Sequence, residues 1–370
     1  MAKSKFFPAL ATLVGTTIGA GFLSIPYVVS RSGFPIGVAY LIILASFMLL
    51  MKLYLGEVIL RTKETRQLPG YAEKYLGKSA KIIMFFSMMF GIYSALLAYL
   101  IAEGQSLSYL AFGSSNHSLL FSLLFWLVLA NLTYQGLRAL KKYERISMFV
   151  VLSLVILVVV FFAPKIQPSN LLYIGNSPFL PLGVILFSFL AFSVLPEVKR
   201  ILSTQEKLMK KVIIYGLAIP FIVYLVFTII AVGALGQNVN EIATLSFGRF
   251  FSLLGIMTMF TAFFSLSIAV RDIFRFDFKL GRFKGWLLCS LVPLVLFLAV
   301  YFFKLASFIA ILSMAGIVSF GLTGILILLM NIKAKALGNR KPEYKIPINW
   351  LIIAVLSIIF IAAVVLEILF

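Results

Sequence analysis

Two stretches of this chain set small and hydroxyl-bearing residues inside otherwise apolar runs: GTTIGAGFLSIP (Gly15–Pro26) and FSFLAFSVLPEV (Phe187–Val198). A helix can be interrupted within a bilayer only where protein or a water-lined cavity satisfies the freed backbone groups. Gly15, Gly19 and Gly21 supply permissive backbone, and Thr16 and Thr17 supply hydroxyls. If the chain unwinds near Gly19–Gly21, the next half-helix begins there with free N–H groups and the positive end of its dipole, a setting that attracts a carboxylate. Ala20, Gly21 and Phe22 are the candidate contacts, with Thr17 and Gly19 beside them. A break in the second stretch, over Phe187, Ser188, Phe189, Leu190 and Ala191, would leave carbonyls facing the same space, suited to an ammonium. Donors on one helix and acceptors on another match a zwitterion. The competing explanation is plain close packing, because regularly spaced small residues also let membrane helices approach.

The elements that must position these groups are transmembrane helices. Of 370 residues, 62% are hydrophobic and 12% charged, and the mean hydropathy is +1.10. A soluble domain is nearer half apolar and a quarter charged. Taking about 20 mostly apolar residues per span, the sequence predicts about eleven spans, at 6–29, 35–60, 82–111, 118–137, 146–163, 179–196, 212–235, 248–270, 286–302, 305–331 and 349–369. The first follows the short basic flank MAKSKFF and is too long for a signal peptide, so it is read as an uncleaved span. Connections are too short for a soluble domain, giving one membrane domain over 1–370. The breaks fall in spans one and six, which run in opposite directions. Discontinuous helices at matched positions of two opposed halves point to a transporter's binding site. The halves are then 1–163 and 178–331, with 349–369 as an additional helix.

Charge sets the expected orientation. Of 32 Lys and Arg, only Arg31, Lys165, Arg249 and Lys304 fall in one alternate set of loops, Lys52 lies within span two, and the rest lie in the other set. Positive loops stay cytoplasmic, so the N-terminus is expected inside and, with eleven spans, the C-terminus outside, in a multi-pass cell-membrane protein whose other partner is the lipid bilayer. The net charge of +20 therefore does not indicate nucleic-acid binding, which needs basic residues gathered on one reading face. One cysteine (Cys289) and one histidine (His117) exclude most metal and haem chemistry, which needs several such ligands together. No metal site or organic cofactor is expected. Two aspartates, both in a loop, and a single loop histidine also argue against a membrane enzyme.

GTTIGAGFLSIP resembles the first-helix signature of amino-acid permeases of the amino acid–polyamine–organocation superfamily. It is closest to the aromatic and hydroxy amino-acid permeases and the auxin/amino-acid permease branch. LFSFLAFSVLPEV resembles their sixth helix, Tyr54–Gly77 the end of their second helix and the loop after it, and Thr261–Phe274 their eighth helix. The resemblance implies an all-α integral membrane fold with a five-plus-five, leucine-transporter-like inverted repeat, broken helices one and six, and alternating access. It implies that Gly19–Gly21 meet a substrate carboxylate and the Phe187–Ala191 carbonyls its amine. It also implies coupled uptake, by H+ in the aromatic permeases and by Na+ in several relatives.

For Na+, alignment to the relatives' site points to the carbonyls of Gly15 and Ile18 with the hydroxyls of Thr261 and Ser265. Phe264 stands where relatives often carry a further hydroxyl residue, and Thr261 and Ser265 could instead bond to their own helix. For H+, an acid within the membrane is a functional candidate by default, and Glu103 in span three is the best placed. Glu57 is expected to pair with Arg61 four residues on, Glu197 with its basic neighbours, and Lys52 to snorkel to the cytoplasmic surface. Tyr93, Tyr99, Phe187, Phe189 and Phe192 are candidates for an apolar side-chain pocket. The expected function is a secondary-active importer of a neutral, aromatic or large aliphatic amino acid. An uncoupled exchanger or uniporter and a non-transporting sensor are the alternatives.

Overall fold

The computed structural model describes residues 5–135, 140–276, 278–349 and 365. Fifteen α-helices follow one another among the described residues: α1 (Phe6–Thr17), α2 (Ala20–Ser32), α3 (Phe34–Leu60), α4 (Leu68–Leu76), α5 (Lys78–Phe112), α6 (Ser118–Gln135), α7 (Leu140–Phe162), α8 (Pro168–Leu172), α9 (Pro181–Ser188), α10 (Leu195–Leu202), α11 (Met209–Leu235), α12 (Ala243–Ser246), α13 (Arg249–Phe276), α14 (Arg282–Phe303) and α15 (Phe308–Leu337). Among the described residues β-structure is limited to one isolated bridge, Gly33 to Ile174. Eight helical segments among the described residues are long and apolar enough to cross a membrane, one of them running from α9 through α10 (Pro181–Leu202). The pair α1 and α2, bent by 50°, makes a ninth, and Phe149–Lys165 is a shorter apolar helix at the place of span five. The expected eleventh span, 349–369, lies outside the described residues apart from Asn349 and Val365.

The helices are apolar all round, as spans should be, and their outward side chains remain large and apolar: Ile42 and Ile43 on α3, Phe86 and Phe90 on α5, Val295 on α14 are exposed. Lipid, not water, is the solvent for these faces. Inside, α5 and α15 pack against each other and receive α13, α6 and α9 around them, while α1 and α2 lie against α11, α7 and α9. Both broken spans are therefore enclosed by continuous helices.

The end of α3 is fixed by polar contacts that the sequence only partly announces. Glu57 pairs with Arg61 at 2.8 Å, as its spacing predicts, and its carboxyl is fully buried. The second oxygen of Glu57 accepts from the Ile346 N–H at 2.9 Å. Ile346 belongs to an extended segment after α15 that folds back under α3. Tyr344 donates to the Leu53 carbonyl at 2.8 Å, its ring resting on Gly56 with no room for a side chain there. Tyr54 donates to the Pro347 carbonyl at 2.9 Å. Lys199 of α10 is buried and donates to the carbonyls of Ile59 and Thr62 at 3.0 and 2.5 Å, answering groups that a helix end leaves free. Glu197 pairs with Arg200. Lys52 departs from expectation: it is fully buried, with no hydrogen-bond partner for its amine among the described residues. It shares a helix face with Met48, Leu55 and Ile59, all turned into the bundle, so its stem cannot follow the lipid surface outward.

Beyond this end, Glu64 receives Lys74 at 2.8 Å and Asn339 at 3.2 Å. The Lys74 ammonium holds its carboxyl down at about 2. A depressed carboxyl pKa stabilises the fold above the unfolded value of about 4.3 and loses that contribution as pH falls towards 2.

Breaking the Glu57–Arg61 pair leaves a buried carboxylate short of a charge partner, which costs about 3 kcal/mol. Arg61→Met is expected to lose roughly that much in denaturant unfolding in detergent, and the double variant Glu57→Gln/Arg61→Met to recover part of it. An Arg61→Met change within about 0.5 kcal/mol of wild type, the range of ordinary surface substitutions, would contradict the assignment.

Candidate functional site

The first break is short and sharply placed. α1 ends at Thr17, Ile18 and Gly19 are extended, and α2 starts at Ala20 with no side chain capping its N-terminus. Ala20, Gly21 and Phe22 are thus the first three residues of α2, whose N–H groups have no partner within the helix. The hydroxyl of Tyr99 stands against this break, and a Cβ on Gly19 would lie 2.5 Å from its oxygen. Tyr99 comes from α5, so a third span closes over the break. α2 continues through Pro26 to Ser32.

The second break is wider. α9 ends at Ser188, and a 3-10 turn over Phe192–Val194 leads into α10. Ala191 between them is left-handed at φ 45°, a conformation that costs an L-residue roughly 1–2 kcal/mol. The Phe187 carbonyl accepts from the Leu190 N–H at 3.1 Å, so it is used within the turn. The Ser188 carbonyl is met at 2.9 Å by the hydroxyl of Tyr224, which also lies 2.7 Å from the Thr17 carbonyl. Tyr224 belongs to α11. Nothing in the sequence around it, IVYLVF, distinguishes it from a packing residue, and only the folded chain reveals that it joins the two breaks.

Between the breaks lies a cavity of about 90 Å3. Thr17, Gly19, Gly21 and Tyr99 line it from one side, and Phe187, Ser188, Leu190 and Ala191 from the other. Ala20 is not part of the wall. Phe22 turns away to stack on Tyr224 at 5.9 Å and to tilt against Phe227 at 4.7 Å, and Phe189 tilts onto Tyr224 at 5.0 Å. The remaining wall comes from Met88, Gly91, Ile92 and Ala95 of α5, Leu266 of α13, and Ser319 and Thr323 of α15. Ser87 donates to the Ser319 carbonyl at 3.0 Å and bonds the Thr323 hydroxyl at 2.9 Å. These wall residues carry no local signal, because each sits in an ordinary apolar run. Phe192 also lines the cavity and stacks on Phe320. Tyr93 does not: its hydroxyl donates to Leu288 on α14 at 3.2 Å.

The cavity is asymmetric. Leu68, from α4 in the basic loop after span two, is part of its wall. At the opposite end α2 and α9 are in direct contact, and a Cβ on Gly21 would sit 2.9 Å from the Ser188 Cα. The structure is closed between α2 and α9.

The coupling candidates are less convergent. α1 contacts α13, and Ala262 of α13 flanks Gly19, so Thr261 and Ser265 lie in the helix beside the break. The Thr261 hydroxyl is directed at its own helix, at 3.2 Å from the Met257 carbonyl and 3.1 Å from that of Thr258. Ile18 is buried at the break, and Gly15 lies one turn inside α1. Glu103 is fully buried, with neither carboxyl oxygen hydrogen-bonded among the described residues. It lies one turn beyond Tyr99 on α5 and is not part of the cavity wall.

Residues 2–244 match the model of the tryptophan/tyrosine permease family. The chain belongs to this family. Over 254 residues it is 27% identical to tyrosine-specific transport system 2 of Haemophilus influenzae, covering 64% of this chain and 60% of that protein. It is 26% identical over 314 residues to tyrosine-specific transport system 1 of the same organism, covering 76% and 78%. It is also 26% identical over 245 residues to glutamine transporter 2 of Aliivibrio fischeri, covering 63% and 62%. The chain thus spans about three fifths of the first of these relatives. Its fold is similar to that of MhsT in complex with L-phenylalanine, with a TM-score of 0.75 and 15% identity over 98% of each chain. It is also similar to that of Mhp1, a nucleobase-cation-symport-1 family transporter, at 0.66 and 12% over 98% of this chain and 87% of that one. The chain is a multi-pass membrane protein of the leucine-transporter-like fold, and its relatives are transporters rather than enzymes.

The two glycines give opposite predictions. Gly15→Ala meets nothing within 4 Å and should stabilise the helix by about 0.5–1 kcal/mol. Gly21→Ala must displace α9 backbone and should cost about 2 kcal/mol. Equal effects in denaturant unfolding would contradict the contact between α2 and α9.

Proposed function

We propose that this permease is a secondary-active transporter that imports a neutral amino acid with an aromatic or large aliphatic side chain, coupled to H+ or Na+, by alternating access. One observation carries the reading: the uncapped N-terminus of α2 and the break after α9 open onto one cavity. The helix N-terminus carries roughly half a positive charge and the helix C-terminus half a negative one, so one cavity offers both poles of a zwitterion. In this reading the N–H groups of Gly21 and Phe22 take the carboxylate. The carbonyls of Phe189, Leu190 and Ala191 take the ammonium, and Met88, Ile92 and Ala95 hold the side chain. The names of the two Haemophilus relatives favour tyrosine, that of the Aliivibrio relative glutamine, and the apolar wall favours the former.

With the basic loops cytoplasmic, the contact between α2 and α9 closes the outer side, and the wall from α4 belongs to the inner path. The N-terminus is then inside and, with an eleventh span, the C-terminus outside. The opposed halves 1–163 and 178–331 would exchange access by moving the broken spans against α5, α13 and α15. Glu103 is the proton carrier in this scheme. The cation site alternative uses Gly15, Ile18, Thr261 and Ser265.

A second reading, uncoupled exchange on the same fold, draws support from two of the same features. Glu103 stands outside the cavity wall, and the Thr261 hydroxyl is turned to its own helix. Counterflow in proteoliposomes, with tyrosine, phenylalanine, leucine and glutamine tested singly, separates the readings. The importer predicts exchange of at least one of these and concentrative uptake that needs a proton or sodium gradient. Glu103→Gln is expected to cut concentrative uptake at least tenfold while leaving exchange within threefold. Equal loss of both would remove Glu103 from coupling, and no exchange of any amino acid would refute the reading.

A further inference from the structure

Tyr224 is fully buried in the middle of α11, and its hydroxyl stands 2.7 Å from the carbonyl of Thr17 and 2.9 Å from that of Ser188. These are the last residues of α1 and α9, so each carbonyl is among the groups that a helix C-terminus leaves without a partner. Each also marks the negative end of its helix dipole. Two such ends brought together in a low-dielectric interior repel each other, and a phenol has one proton to share between them. Its ring is equally constrained. Phe22 of α2 lies nearly parallel to it, at 15° and 5.9 Å, and Phe189 tilts against it at 5.0 Å. One side chain therefore touches the backbone at both breaks and an aromatic ring beside each.

We propose that Tyr224 is a positioning residue for the binding site: its hydroxyl, shared between the Thr17 and Ser188 carbonyls, ties the two breaks together so that they take up or lose their binding geometry as a unit. The inference rests on the zwitterion site described above for its functional consequence, though not for its structural content. Loss of the proton leaves two helix-end carbonyls facing each other with no donor, and the breaks then settle independently. A ligand that needs both poles meets them correctly spaced less often, and its apparent affinity falls by the fraction of molecules still competent.

Tyr224→Phe keeps the ring, its stacking and its volume while removing only the donor. Hydrogen exchange of the ligand-free protein in detergent, followed by mass spectrometry, is the direct readout. Peptides spanning residues 15–22 and those spanning 187–194 should both exchange at least fivefold faster in the variant, with peptides of α6 and α14 unchanged. The KM for counterflow should rise at least tenfold with the maximal rate within threefold. Faster exchange at one break only, or at neither, overturns the proposal whether or not the protein transports. If Tyr224→Phe does not fold, a fluorinated tyrosine at position 224 keeps the shape and alters only the donor. Exchange at the two segments must then change together, and unchanged exchange at both overturns the proposal. A wild type that exchanges no amino acid refutes the functional reading alone, since the hydrogen-exchange result stands without it.

Discussion

A broken helix inside a bilayer has no water to satisfy the backbone groups that the break releases. That requirement governs this structure. At the end of α1 and the end of α9 one phenol, Tyr224, answers a carbonyl from each. Just before α2 a second phenol, Tyr99, sets its hydroxyl against Gly19. Both come from continuous helices, α11 and α5, that could supply a fixed hydroxyl because they are themselves unbroken. In the proposed reading the groups left over, N–H on one side and C=O on the other, face the cavity, and the binding site is what remains when neighbours have met most of the cost of breaking two helices.

The same constraint sets the packing around the breaks. Gly21 lets α2 touch α9 where any side chain would collide with backbone, which brings the start of one half-helix close to the end of another. Ala191 accepts a left-handed backbone with the smallest side chain that still has a Cβ. Away from the breaks, polar groups secure the C-terminal end of α3: Lys199 caps it, and the Tyr344–Pro347 segment crosses beneath it. Family membership and fold agree with a transporter, and the polarity of the cavity adds a chemical reason for a zwitterionic cargo.

Much of this was legible in the chain. GTTIGAG announced its break because glycine and threonine are conspicuous in an apolar run, and α2 does begin at Ala20. The second break was harder: Phe189, Leu190 and Ala191 have no special propensity, and their place was found from the matched, oppositely directed position of span six. Glu57 and Arg61 were readable because a helical pair is local. Tyr224, Ser319 and Thr323 were not, because their importance arises from contacts across spans distant in sequence. Lys52 was misread for the same reason. Snorkelling assumes a lipid-facing stem, and which face of α3 meets lipid is decided by the bundle, not by the sequence of α3. Tyr93, read as a pocket residue, faces α14 because one helix face separates it from Ile92 and Ala95.

The central claim is that one cavity presents donors to a carboxylate and acceptors to an ammonium at the same time. Competition binding with three matched compounds tests it directly: an amino acid that the protein binds, the amine formed by removing its carboxylate, and the carboxylic acid formed by removing its amine. The account predicts that the amino acid binds at least a hundredfold more tightly than either, because each analogue leaves one broken helix end unanswered. Equal binding of the amine or of the acid would contradict it.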